Sequence, residues 1–266
     1  MTDKKIAFCL CGSVGFQQGK YYSGDCLNQK YINPVIGYKH YKRNLFDHHN
    51  VDVFIHCWDN KFKEQINFLY KPISYEYQEN IFFEVDKNDK WYPIRIKSRW
   101  YSISKVLNLV EKSQRKYDFI ILTRFDTAFL NILDLESFDF NKIYTNIMYP
   151  NYYKWRGPKS DQEKLFDFII MGKSEYILKL KNVCELLDDD KIIYGAHKTL
   201  HETLVYYDLK KYLNYFWKIG HDYDLIRRIY YKCTLGAHKD WWTKRSNEEM
   251  KEIMDNHNLT FEDIES

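Results

Sequence analysis

The sequence predicts an α/β fold in which a mainly parallel sheet is flanked by helices, with a small helical appendage at the C-terminus. Apolar runs without alternation, "KIAFCLC" (5–11), "VDVFIHCWD" (51–59) and the "FIIL" (119–122) of "YDFIILTRFDTAF", read as strands covered on both faces. Stretches with apolar residues at helical spacing lie between them, and alternating strands and helices build parallel sheets. Gly12, His56, Trp58, Asp59, Arg124 and Asp126 all fall where these runs finish, and ligands of open α/β sheets bind outside the carboxyl ends of the strands. One shared cleft is therefore expected there.

Taken in order, the first strand closes at Gly12 and Ser13, a tight-loop signal. A helix follows from Pro34, with Val35, Tyr38, Tyr41 and Leu45 near helical spacing and proline suited to a first turn. The second strand ends at His56, Trp58 and Asp59. In "SRWYSISKVLNLVEKSQRKYD", Ile103, Val106, Leu107 and Val110 form the stripe of a helix packed on a sheet, with Ser102 as its expected cap. The central strand, 119–122, follows. A further strand is expected at Asp167 to Gly172, then one helix carrying Ile177, Leu180, Cys184 and Leu187, then a helix starting near His201 and Glu202. Ser246 with Glu249 has capping-box spacing for a last helix. Residues 1–240 are expected to form the main domain and 241–266 a helical tail.

The chain has 266 residues, enough for a sizeable core, and a formal net charge of +3, so its charge balance does not point to a nucleic-acid partner. Nothing approaches the roughly 18 consecutive apolar residues of a membrane helix. The six cysteines lack zinc-site spacing and read as buried free thiols, which together with the N-terminus places the chain in the cytoplasm as an expectation.

Asp126 follows a buried strand closely enough to present its carboxylate to the cleft, where it can bind a divalent cation or a ribose hydroxyl. Arg124 either pairs with Asp126 or contacts a phosphate, an ordinary strand-end ion pair being the plainer alternative. Lys97 and Arg99, ahead of the "WYSISKV" segment, can bring positive charge to a phosphate or simply be solvated. Trp58 can stack on a base or sugar, or pack in its loop.

As an ordered set, "KIAFCLCGSVG", "VDVFIHCWD", "SRWYSISKVLNLVEKSQRKYDFIILTRFDTAF", "DFIIMGKSEYI" and "HETL" resemble bacterial and viral polysaccharide glycosyltransferases of the GT-A type, over about residues 5–208. In those an R-x-D segment stands where many relatives carry D-x-D. The resemblance implies a GT-A-like, Rossmann-type domain that uses a UDP- or GDP-linked sugar donor, usually with Mn²⁺ or Mg²⁺. The acceptor it implies is a capsule or surface polysaccharide, as a glycan or lipid-linked glycan.

On the same resemblance, Asp126 matches the metal- or ribose-binding carboxylate, and Gly12 with Ser13 the loop against the nucleotide. Arg124 departs from D-x-D and can replace part of the metal's charge at the diphosphate. His238, in "CTLGAHKDWW", is implied as a second metal ligand, with His221 competing, and Lys239 as a contact to the leaving diphosphate. Glycosyl transfer needs carboxylates near the reacting atoms, and Asp167 and Glu202 are the candidates; Glu202 can equally be a helix-start residue. Trp241 and Trp242 beside Lys244 and Arg245 give a possible peripheral contact with the inner face of a membrane, or a packed anchor. The competing class is a Rossmann-type cofactor enzyme such as an S-adenosylmethionine-dependent methyltransferase, against which "CGSVGFQQG" lacks the G-x-G-x-x-G spacing.

Overall fold

The structure, a computed structural model, describes residues 4–17, 30–81, 83, 92–147, 165–192, 198–216, 219, 221–231 and 245–265. Its strands are β1 (Ile6–Gly12), β2 (Val51–Cys57), β3 (Ser74–Tyr77), β4 (Phe119–Thr123), β5 (Thr127–Phe129), β6 (Ile143–Ile147), β7 (Leu165–Lys173), β8 (Leu213–Tyr215) and β9 (Tyr223–Leu225). Seven of them make one sheet in the order β3-β2-β1-β4-β7-β6-β8, while β5 and β9 pair apart as a short ribbon. Pairing is parallel at β1/β2, β1/β4, β2/β3 and β6/β8. β7 runs antiparallel to both of its neighbours, so the sheet is mixed but mostly parallel.

The apolar runs lack alternation because both faces are covered. From β1 and β4, Phe8, Leu10, Phe119 and Ile121 face one core with Tyr41, Leu45, Ile66 and Tyr70. Ala7, Cys9, Ile120 and Leu122 face the other with Trp100, Ile103, Val106 and Leu107. Each such fully buried aliphatic or aromatic side chain contributes about 1.5–3 kcal/mol by leaving water. Cys9, Cys11 and Cys57 are buried free thiols within this packing.

On the first face lie α1 (Pro34–Tyr41) and α2 (Lys63–Tyr70). Asn33 caps α1 by accepting from the Val35 N–H at 3.1 Å, and Pro34 opens the helix as expected. A Cβ on Gly37 would come within 2.6 Å of the Phe125 carbonyl, so its absence lets α1 pack directly on the chain leaving β4.

On the second face lies α3 (Tyr92–Lys112), which starts a good ten residues before Ser102. Ser102 is thus not a cap. It is buried inside the helix, 2.6 Å from His56 Nδ1. Pro93 stands in the first turn instead, where its missing N–H costs nothing. The single helix expected after β7 is three pieces: α4 (Ser174–Ile177), a 3₁₀ stretch at Leu178–Asn182, and α5 (Val183–Asp188). The tighter 3₁₀ winding still brings Ile177, Leu180, Val183 and Leu187 into the core. Next comes α6 (Thr199–Tyr206), close to its expected start.

The C-terminal part comprises α7 (Ile226–Tyr230), α8 (Asn247–Asn256) and α9 (Phe261–Glu265). The capping box at α8 is present, Ser246 Oγ accepting from Glu249 N–H at 3.1 Å and Glu249 Oε2 from Ser246 N–H at 2.7 Å. These helices are not a loose appendage. Met254, Leu259 and Ile264 share a core with Ile32, Ile36, Ile226 and Ile229. Lys39 Nζ reaches the Asn258 carbonyl at 2.6 Å and Asp263 at 2.7 Å, and the Tyr231 hydroxyl donates to the Ile264 carbonyl at 2.8 Å. Among the described residues no helix is long and apolar enough to cross a membrane.

Candidate functional site

β1 and β4 are neighbours in register Leu10↔Thr123, so the chains leaving them emerge side by side. Because β7 is antiparallel, with Ile170 opposite Leu122, its beginning lies at that same edge. One reversed strand thus brings Asp167 to the residues that follow β1 and β4. Six of the expected site residues, Gly12, Ser13, Arg99, Arg124, Asp126 and Asp167, meet at this edge.

Arg99, from α3, binds the pieces together. Its Nη1 donates to the Cys11 carbonyl at 3.2 Å and lies 3.0 Å from Cys11 Sγ; Nη2 donates to the Asp167 carbonyl at 2.7 Å, and Nε to Asp167 Oδ2 at 3.3 Å. Most of its donors are therefore taken up by protein, which makes Arg99 a brace between β1 and β7.

Asp126 is completely buried, and its carboxylate does not project into solvent. Arg124 Nε and Nη2 grip its two oxygens in a fork, at 2.7 and 2.8 Å, and Arg227 Nη1 reaches Oδ2 at 3.1 Å. Burial pushes the Asp126 carboxyl upward, but Arg124, Arg227 and Arg99 together outweigh it, and its pKa ends below the ordinary carboxylate value. The loop after β1 supplies the cover: a Cβ on Gly15, whose φ is +90°, would lie 3.1 Å from the Asp126 Cβ.

That loop is held by Asp59, whose Oδ2 accepts from the Ser13 hydroxyl at 2.5 Å and from Val14 N–H at 2.7 Å. Burial raises the Asp59 pKa, opposed by those two hydrogen bonds. Asp59 is thereby a clasp on the loop. Gly12, at φ +111°, differs from Gly15: a Cβ there would meet nothing among the described residues. Arg124 follows Thr123, which is opposite Leu10, so it leaves the sheet at the same edge; its side chain is 26% exposed and its guanidinium lies 5.3 Å over the Phe168 ring. Its fork uses Nε and Nη2 only, and Nη1 gives no hydrogen bond to any described residue.

Arg227 was not foreseen from sequence. The ribbon delivers it: Thr127 pairs with Leu225, the Ile226 N–H donates to the Asp126 carbonyl at 2.9 Å, and Arg227 is the next residue. The remaining expectations fall elsewhere. Among the described residues no contact joins Glu202, in α6, to this cluster; its near neighbour is the His201 ring at 3.9 Å. Lys97 pairs with Asp188 at 2.5 Å, tying α3 to α5. Trp58 is only 4% exposed and stacks on Tyr101 with centroids 5.5 Å apart, so it packs and offers no free platform. His221 lies in the open beside Asp222, past the end of the ribbon remote from Asp126. Arg245 lies 3.7 Å from Asp224. His238, Lys239, Trp241, Trp242 and Lys244 lie outside the described residues.

A divalent cation needs carboxylate oxygens free to face it at about 2.0–2.6 Å. Both oxygens of Asp126 face guanidinium donors instead, and Asp167 lies against Arg99. The described residues at this edge therefore do not fit Mn²⁺ or Mg²⁺; three guanidiniums against two carboxylates fit an anion. A separate cavity of about 490 Å³ opens at the opposite edge of the sheet, beside Lys4, Arg115, Asp118 and Lys173. Its charges are largely paired, Arg115 with Asp52 and Lys173 with Glu175, each at 3.0 Å. No family model matches this chain, and no curated protein is significantly similar to it.

Proposed function

We propose that the protein is a glycosyltransferase that moves a sugar from a UDP- or GDP-linked donor to a glycan acceptor, a capsule or surface polysaccharide or its lipid-linked form. The observation that carries this reading is the Nη1 edge of the Arg124 guanidinium, which gives no hydrogen bond to any described residue, at the carboxyl ends of the two central parallel strands. It agrees with the resemblance of the ordered strand-end segments to polysaccharide glycosyltransferases.

In this reading the bond from the sugar's anomeric carbon to the diphosphate oxygen breaks, and its electron pair leaves on the diphosphate. An acceptor hydroxyl oxygen forms the new bond and loses its proton to a carboxylate. Arg124 stabilises the departing anion in a site where the charges are already placed, so little reorganisation is needed. Asp167, at the start of β7 and paired with Arg99, is the carboxylate on the acceptor side; Glu202 is the second candidate, if α6 borders the bound acceptor. The protein works in the cytoplasm, at the inner face of the membrane when its acceptor is lipid-linked.

A thermal-shift panel tests the class of ligand. UDP or GDP at a hundred times its dissociation constant should stabilise the fold by about 2.7 kcal/mol. S-adenosylmethionine should leave the melting temperature where it was. The reverse pattern would replace this reading with that of a methyltransferase.

A further inference from the structure

We infer that this edge of the sheet holds the donor's diphosphate by guanidinium alone, with Asp126 as the residue that positions Arg124 and Arg227, and without a bridging divalent cation. This rests on the nucleotide-sugar reading above and narrows it to the way the leaving group is neutralised.

Three features support it independently of one another. The first is saturation: Asp126 presents Oδ1 to Arg124 and Oδ2 to both Arg124 and Arg227, so a cation would have to displace donors that are in place. The second is charge. The guanidiniums of Arg99, Arg124 and Arg227 all reach Asp126 or Asp167, and a phosphate meets such a gathering of cations more favourably than another cation does. The third is geometry: a guanidinium has five donors in a plane, and the two that Arg124 gives to Asp126 fix that plane while the Nη1 edge stays available for a second oxyanion.

Gly15 closes over Asp126, whereas a Cβ on Gly12, at the end of β1, would meet no described residue. The Arg124 Nη1 edge can meet an oxyanion at this edge without disturbing the fork on Asp126. Asp126 is thus not a contact to the ligand: it holds the fork.

Calorimetric titration of UDP and of GDP into the full chain, once in EDTA and once in excess Mn²⁺, tests the inference. The two dissociation constants should agree within about threefold, and Arg124→Gln should weaken binding about tenfold or more in both media. Arg124→Lys keeps the charge beside Asp126 but not the fork; it should regain more of the stability lost in Arg124→Gln than of the binding, a split that a purely structural role for Arg124 would not produce. Nucleotide that binds only with Mn²⁺, or more than about threefold tighter with it, overturns the inference and leaves the donor reading in place. No binding of either nucleotide in either medium removes both. If Arg124→Gln fails to fold, the comparison of the two media on the parent chain decides alone.

Discussion

Asp126 and Asp224 are both buried aspartates, each flanked by two arginines, on or beside the paired strands β5 and β9. Their carboxyl groups nevertheless shift in opposite directions. Burial raises both, but only at Asp126 do the arginines win. Asp126 receives the two-pronged grip of Arg124 at 2.7 and 2.8 Å, then Arg227, with Arg99 near enough to count. Asp224 Oδ1 accepts from Arg228 at 2.6 Å and from the Leu225 N–H at 2.7 Å, and Arg245 stands farther off at 3.7 Å. The closer approach of the arginines, with a third behind them, goes with the lowered carboxyl at Asp126. The better-held aspartate is the one at the edge where a ligand is expected.

The largest effect should come from Asp126→Asn. It keeps the shape but leaves two buried guanidiniums facing each other, and should lower stability by about 3–5 kcal/mol in urea unfolding. Asp224→Asn should cost less, about 1–3 kcal/mol, because the carboxylate it removes is already poorly stabilised. Equal losses would erase the distinction between the two sites. Gly15→Ala forces a side chain into left-handed backbone against Asp126, and should cost about 1–3 kcal/mol while weakening nucleotide binding.

Acid titration separates the pair most finely. Asp126 has a lowered folded-state pKa, so its contribution is present above the unfolded value of about 3.9 and is lost as pH falls below it. Asp224 has a raised one, so its contribution is present below about 3.9 and is lost as pH rises through the folded value. Melting curves of each Asn variant against the parent, between neutral and acid pH, should show the parent's advantage shrinking for Asp126 and growing for Asp224 as acid is added. Parallel trends would break the comparison.

Much of the sheet was legible because strands covered on both faces must be apolar throughout, as 6–11 and 119–122 are. Arg124, Asp126, Gly12 and Ser13 followed from that, since a buried strand must release its first polar residues at its end. The direction of β7 was not legible: an apolar run has no polarity, and only the sheet decides which end of it meets Asp126. Ser102 misled because a small polar residue inside a helix looks like a start when its partner, His56, is brought in from another strand. Arg227 was hidden for a related reason. It sits in a helix of five residues, too short for a period, and reaches Asp126 only through a ribbon joining segments about a hundred residues apart.

The docking of the final helices reaches beyond their own stability. Ile226 and Ile229 flank Arg227 in α7, and both are pressed into the core that Met254, Leu259 and Ile264 complete. The last stretch of chain therefore acts as a splint on the second arginine of the charged edge. Clipping it, or fusing a bulky tag that pries it off α1, should be felt as a slackened grip on Asp126 at the far side of the ribbon, without touching a single residue there.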